Sequence, residues 1–408
     1  MKTEAAARFD VEKIRKDFPI LNRKVHGRPL VYFDNAATTP LDPEVFDVMK
    51  PYLLDNFGNP SSIHAHGRVA KAAIEKSRKQ IAALLGTAPA EIFFTSGGTE
   101  ANNHAIQRVV ETYNIKHAIT SPLEHHAVLH TLEYLEKLGK IKIHYLDFND
   151  KGVLNLDTLD QLLSQFPNVL VSLMHGNNEI GNLNDIATIS EVCATHKAYF
   201  HCDMVQTIGH YVHNFQDIKI DFASGSAHKF HGPKGVGFLY VNPEVQIAPL
   251  SFGGAQERNM RGGTENVPGI IGMAKALELA LEHQKEHKAY IENLKMYMIE
   301  LFNDNIEDVK YNGLSADLQS SLYTVLNVSL PPTDDNDMLL FNLDINQISA
   351  SAGSACSSGT NIASHVLSAL NADPDRGAVR FSFSRHNNKE EVLYVVKKLS
   401  EIFKMKPV

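Results

Sequence analysis

Cysteine is scarce. The 408 residues hold only three, Cys193, Cys202 and Cys356, and their spacings build neither a zinc site nor a disulfide framework. No metal site is expected, and the compartment is expected to be reducing. Long apolar runs are also missing, since no stretch approaches the ~20 consecutive apolar residues that a membrane helix needs. No membrane partner is expected. The opening segment MKTEAAARFDVEKIRKDF carries Glu4, Asp10 and Glu12 and lacks the features of a secretory signal or an acid-poor transit peptide. A cytoplasmic location follows as the expectation. Charge of one sign is nowhere concentrated: 39 Lys plus Arg face 47 Asp plus Glu, a net charge of −8. Direct nucleic-acid binding is disfavoured. Nucleotide loops are absent as well, because no G-x-G-x-x-G follows a strand and no P-loop occurs. Dinucleotide and triphosphate readings drop accordingly.

What is present is an alternation. From about residue 30 to 241, short apolar runs (EIFF, HAITS, KIHYL, NVLVSLM, AYFHC, FASGS, VGFLYV) alternate with segments of helical periodicity, among them residues 69–85 and 186–196. That pattern predicts an α/β fold, a mostly parallel sheet covered by helices on both faces. One long amphipathic helix is expected over about residues 269–303, since Leu277, Leu281, Ile291, Leu294, Met298 and Leu301 fall near one face. The strands YTVLNVSL, QISASAG and VRFSFSR and a helix over residues 389–404 then predict a smaller α+β domain. The expected division is an N-terminal arm over residues 1–29 packing on the small domain, a large domain over 30–267, and a bridging helix with the small domain over 268–408.

Several strings carry chemistry. Ser224-Gly-Ser-Ala-His-Lys229 follows an apolar strand and precedes the glycine-rich Gly232-Pro-Lys-Gly-Val-Gly237. An isolated loop lysine is usually a solvated one. Here the small hydroxyl residues and glycines around Lys229 suit a phosphorylated aldehyde cofactor held on its amine. Thr95-Ser-Gly-Gly-Thr-Glu-Ala-Asn-Asn103 follows EIFF and opens a helix, so its backbone amides, with Gly98 allowing close approach and Thr99 adding a hydroxyl, can cup a phosphate. A capped helix with no ligand would look similar. Asp203 ends the strand AYFHC and could be a mere helix cap. With a pyridine cofactor above it, an ionised aspartate would hold the ring-nitrogen proton, Gln206 would reach the phenolic oxygen, and His125 would stack on the ring.

Cys356 lies among small residues in Gln347-Ile-Ser-Ala-Ser-Ala-Gly-Ser-Ala-Cys-Ser-Ser-Gly359. Such surroundings favour an exposed, reactive thiol on a mobile loop rather than a structural one. Cys193 in a helix and Cys202 in a strand fit structural roles. Arg380, flanked by apolar residues in VRFSFSR, needs an anionic partner, either a structural carboxylate or a substrate carboxylate gripped by two parallel hydrogen bonds.

Together these motifs resemble the cysteine desulfurase family, class V aminotransferase-type members of the fold-type I pyridoxal-phosphate enzymes. The resemblance spans nearly the whole chain, through Phe33-Asp-Asn-Ala-Ala-Thr-Thr-Pro40, Gly58-Asn-Pro-Ser-Ser62, Met174-His-Gly-Asn-Asn-Glu-Ile-Gly181 and Met260-Arg-Gly-Gly-Thr264 to Arg380. It implies pyridoxal 5'-phosphate on Lys229, His125 stacked on it, Asp203 and Gln206 at its ring, and Asn178 at its phenolic oxygen and the substrate. Gly98, Thr99, Ser226 and His228 would bind the phosphate. Thr264 would reach the phosphate of a neighbouring subunit, making a homodimer with shared sites. Ala36 and Arg380 would meet the L-cysteine substrate, and Cys356 would take its sulfur as a persulfide for an acceptor, an iron-sulfur scaffold or another sulfur-transfer protein. The segment Ser351-Ala-Gly-Ser-Ala-Cys356 is similar to the group I branch and the arm FDVEKIRKDFPIL to group II. The chain stops soon after its last predicted helix, without the long tail some group I members use to dock a scaffold. A selenocysteine lyase of the same fold and a non-catalytic sulfur-relay protein are the rival readings.

Overall fold

The alternating apolar runs pair into one seven-stranded sheet. In chain order its strands are Ile92–Thr95 (β1), His117–Thr120 (β2), Lys142–Tyr145 (β3), Val169–Ser172 (β4), Tyr199–Asp203 (β5), Phe222–Ser226 (β6) and Gly237–Val241 (β7). The structure, a computed structural model, describes residues 10–22, 24–25, 27–249, 251–333, 336–352 and 364–403. Across the sheet the order is β1-β7-β6-β5-β4-β2-β3. Strands β2 to β6 pair in parallel, and β7 runs antiparallel to both its neighbours. Every residue of β4, β6 and β7 is buried, which requires cover on both faces. Helices Pro43–Leu54, Ala65–Leu84, Ile186–His196 and Val267–Glu282 supply one apolar layer. Gly98–Tyr113 and His126–Lys137 supply the other. Alternation along β5 therefore sends Phe200 and Cys202 into the first layer and His201 toward the second. This is the expected α/β architecture, and it gathers loop side chains at the carboxyl ends of the parallel strands, where such sheets bind ligands.

The single long helix expected over residues 269–303 is instead two. Val267–Glu282 and Gln284–Asn305 meet at a break on His283, whose φ of −107° and ψ of 14° are not helical. The two halves serve different cores. Ile270, Met273 and Leu277 pack into the large-sheet layer, whereas Ile291, Leu294, Met298 and Phe302 pack on a second, three-stranded sheet. A straight helix would turn one of those stripes away from its core. The second sheet is antiparallel, ordered Lys310–Tyr311 (β8), Val325–Pro332 (β9), Arg376–Ser382 (β10), and the helix Lys389–Ile402 covers it together with Gln284–Asn305.

The predicted strand QISASAG shrinks to Ile348–Ser349, which pairs in parallel with Val31–Tyr32 and not with the three-stranded sheet. Its small residues bury too little apolar surface to hold a longer strand. Near the start of the chain, Arg15 pairs with Glu391 at 2.8 Å, and the Phe18 ring centroid lies 3.9 Å from that of His386.

Candidate active site

A cavity of about 230 Å³ opens at the carboxyl edge of the large sheet. Lys229 enters it from the 3-10 turn Ala227–Lys229 that follows β6, and its Nζ donates to the carbonyls of Ala36 at 2.5 Å and Ala37 at 2.9 Å. The stretch after Phe33 is thus the wall on which the amine rests. Gln206 Nε2 reaches the same Ala36 carbonyl at 3.1 Å.

Opposite lies the start of the helix Gly98–Tyr113. Gly98 and Thr99 line the cavity with Ser226 and His228. A side chain at Gly98 is impossible without movement, since a Cβ there would stand 2.5 Å from Val205 Cγ2. First-turn amides with no side chain in front of them, a threonine hydroxyl and a serine hydroxyl form the donor set an anion needs. His228 stays neutral, its ring pushed down to about 4 by burial and by the neighbouring charges of Lys229 and Lys234.

Asp203 closes β5 with both carboxylate oxygens engaged. Oδ2 accepts from Asn102 Nδ2 at 2.6 Å and Oδ1 from the Val205 amide at 3.0 Å. His125 caps the helix His126–Lys137, its Nδ1 accepting from the Ala127 amide at 3.0 Å. That bond fixes the ring orientation and leaves the proton on Nε2. Burial holds the imidazole below its usual range, against the attraction of Asp203.

Arg380, in β10, carries the small sheet's contribution and is 1% exposed. It donates to Asn178 O and to Asp34 Oδ1, both at 2.9 Å. Its Nε has no partner among the described residues. Asp34 Oδ1 also accepts from the Ser351 hydroxyl at 2.8 Å, and Ser351 and Arg380 exchange backbone hydrogen bonds. Arg380 thus holds a structural carboxylate on one nitrogen and also lines the cavity, where a substrate carboxylate would be met.

The structure brings Ala36, Gly98, Thr99, His125, Asn178, Asp203, Gln206, Ser226, His228, Lys229 and Arg380 to one cavity. It does not bring Thr264 there. That residue lies exposed on its loop, near Arg261, which is tied to Glu100 in the first turn of the Gly98–Tyr113 helix at 2.5 Å. Cys356 lies outside the described residues. Cys193 and Cys202 are buried, and burial pushes both thiols up, as suits structural residues. Asp34, Asn102 and His201 were not singled out by sequence reasoning. A signal for His201 was available, because residues two apart on a strand share a face, which sets it beside Asp203.

Residues 31–395 match the model of the aminotransferase class-V family. A protein of Dictyoglomus turgidum named cysteine desulfurase IscS is 44% identical over 376 residues, covering 91% of this chain and 94% of that one. A solved NifS-like protein superposes with a TM-score of 0.84 at 37% identity, covering 92% of this chain and 99% of the other. Another, described as SspA in complex with cysteine, has a TM-score of 0.75 at 32% identity, covering 88% and 99%. The chain belongs to the class-V aminotransferase family and, within it, to the cysteine desulfurases.

Proposed function

We propose that this chain is a pyridoxal 5'-phosphate-dependent cysteine desulfurase that converts L-cysteine to L-alanine and takes the sulfur onto Cys356 as a persulfide. The observation that carries the reading is the convergence of Lys229, Asp203, His125 and Arg380 on one cavity beside a helix start. These residues fit the cofactor. An amine, an acceptor-only carboxylate, a neutral ring and an anion cup answer its aldehyde, ring nitrogen, ring face and phosphate respectively. Gly98, Thr99, Ser226 and His228 would hold the phosphate, Asp203 the ring-nitrogen proton, and Gln206 and Asn178 the phenolic oxygen. When bound, pyridoxal phosphate supplies a sink for the electron pair left at the substrate Cα.

The chain's own groups do the rest. Arg380 grips the substrate carboxylate through donors not used on Asn178 and Asp34, with Ala36 beside it. Lys229 Nζ, set against the Ala36 and Ala37 carbonyls, moves the Cα proton. The Cys356 thiolate attacks the substrate sulfur, so that an S–S bond forms, the C–S bond breaks, and the substrate Cβ gains a proton to become the methyl of alanine.

We also propose a homodimer. Phe57, Ile63 and Phe252 are exposed at 75%, 91% and 81%, apolar side chains that a partner chain would cover, and Thr264 stands outside its own chain's cavity. In the dimer Thr264 would complete the partner's phosphate cup. Residues 30–267 would serve as the large domain and 268–408 as the bridging helix with the small domain, the first half of that bridge packing on the large-sheet core and the second half on the small-sheet core, with residues 1–29 as an arm against the small domain. The sulfur acceptor would be an iron-sulfur scaffold or another sulfur-transfer protein. A cytoplasmic site is consistent with unpaired Cys193 and Cys202 and with no described helix long and apolar enough to cross a membrane.

Mixing the purified protein with L-cysteine and a thiol reductant, then assaying alanine and sulfide, tests this reading. Equal amounts of both are expected. Cleavage of selenocysteine alone would assign a selenocysteine lyase, and no product from either a relay protein.

A further inference from the structure

Behind Asp203 a file of buried polar side chains runs into the sheet, and the proposed chemistry does not use it. Asn102 Nδ2 meets Asp203 Oδ2 at 2.6 Å, His201 Nε2 meets Asn102 Oδ1 at 3.1 Å, and Ser172 Oγ meets His201 Nδ1 at 2.8 Å. Ser172 and His201 are 0% exposed and Asn102 1%. The strands set this up. Ser172 ends β4 directly opposite His201 of β5 in the parallel ladder, so both side chains leave the same face, and Asn102 comes down on them from the Gly98–Tyr113 helix.

We propose that Ser172, His201 and Asn102 are positioning residues, a one-way relay of three hydrogen bonds that presents the Asn102 N–H to the Asp203 carboxylate and holds it aimed into the cavity. Its direction follows from donor arithmetic. An ionised carboxylate only accepts, so Asn102 must turn its NH₂ to Asp203 and its oxygen to His201. His201 Nε2 must then carry a proton. Burial pushes this ring down to about 4, so at neutral pH its other nitrogen is bare, and the Ser172 hydroxyl has to donate to it. Every dipole in the file therefore points its positive end toward Asp203. If Asp203 were protonated, the amide and both hydrogen bonds behind it would be free to reverse, with the proton on His201 Nδ1 and the serine accepting. The tautomer of His201 thus reports which way the relay runs. Neutral groups suit this role, because they stabilise an anion under low dielectric without placing a cation there to compete for it.

This inference rests on the reading that Asp203 meets a protonated ring nitrogen, and its test separates the two. The full-length protein labelled with ¹⁵N-histidine is measured by NMR at neutral pH, with His201 assigned from its disappearance in His201→Gln. A neutral ring protonated on Nε2 is expected, and a ring protonated on Nδ1 or on both nitrogens overturns the relay. The second arm follows cofactor retention by absorbance. His201→Phe, which leaves the buried Asn102 oxygen without its N–H partner and so loosens the amide that holds Asp203, is expected to release pyridoxal phosphate about ten- to hundredfold faster, within the range for one buried polar group left unsatisfied. His201→Gln, which can restore an N–H to Asn102, is expected to stay close to the native rate. Equal loss in both variants, or none in either, overturns the proposal. A protein that takes up no pyridoxal phosphate would remove the cofactor reading, while the tautomer would still decide the relay.

Discussion

Replacing Arg380 with lysine keeps the charge and removes the fork, and the site geometry says what that costs. Two guanidinium nitrogens already hold Asn178 O and Asp34 Oδ1 at 2.9 Å each, and Nε stands without a partner among the described residues. A single ammonium cannot keep both anchors and also present two donors in one plane to a carboxylate. The variant loses one charge-assisted hydrogen bond to substrate, worth roughly 1.5–3 kcal/mol, or about ten- to hundredfold in kcat/KM. Because the carboxylate is held equally before and during bond cleavage, the loss falls mainly on KM. Steady-state kinetics with L-cysteine check this, alongside the inhibition constant of cysteamine, which lacks the carboxylate. Cysteamine inhibition should hardly change. An unchanged KM for L-cysteine, or an equal loss for both molecules, would refute the clamp.

Lys229→Ala is expected to abolish alanine formation, and borohydride reduction followed by peptide mapping should place the cofactor on Lys229. Label on the exposed Lys234 of the next loop would contradict that assignment. Ile63→Asp, at a position 91% exposed, is expected to give a monomer in sedimentation that also loses cofactor; a cofactor-retaining monomer would sink the shared-site reading. His201, His210 and His213 are held neutral by burial, each ring pushed down from 6.5 to about 4. The unfolded chain binds protons that the folded chain refuses, so this stability stands in full above about pH 6.5 and drains as the pH falls toward 4. Thermal unfolding midpoints should decline over that window, and a flat profile would count against it.

The sheet was legible because each of its strands is a short apolar run bounded by turns, and the helical layers because their apolar residues recur at three and four. The break at His283 was not legible. The stripe from Leu277 to Met298 continues in phase across it, and only the existence of two cores, one under each half, explains the interruption. The short pairing of Ile348–Ser349 with Val31–Tyr32 joins residues 317 positions apart (348 − 31), and no local pattern announces it. The same holds within the site. Lys229, Asp203 and the Gly98 helix start follow apolar strands and can be read from that position alone. Asp34 cannot, although it sits inside a motif noted for its resemblance, because its bond to Arg380 spans 346 residues. Asn102 has the same difficulty, its partner Asp203 being 101 residues on.

The destination of the sulfur atom is the central question. Brief exposure of the native protein to L-cysteine, followed by digestion without reductant and mass spectrometry, should show one added sulfur on the peptide bearing Cys356 and none on those bearing Cys193 or Cys202. Cys356→Ala should still bind pyridoxal phosphate and L-cysteine, since Lys229 and Arg380 remain, while sulfide release falls by several orders of magnitude. Near-normal turnover of L-cysteine by that variant, or sulfur found on either buried cysteine, would contradict the assignment of Cys356 as the acceptor.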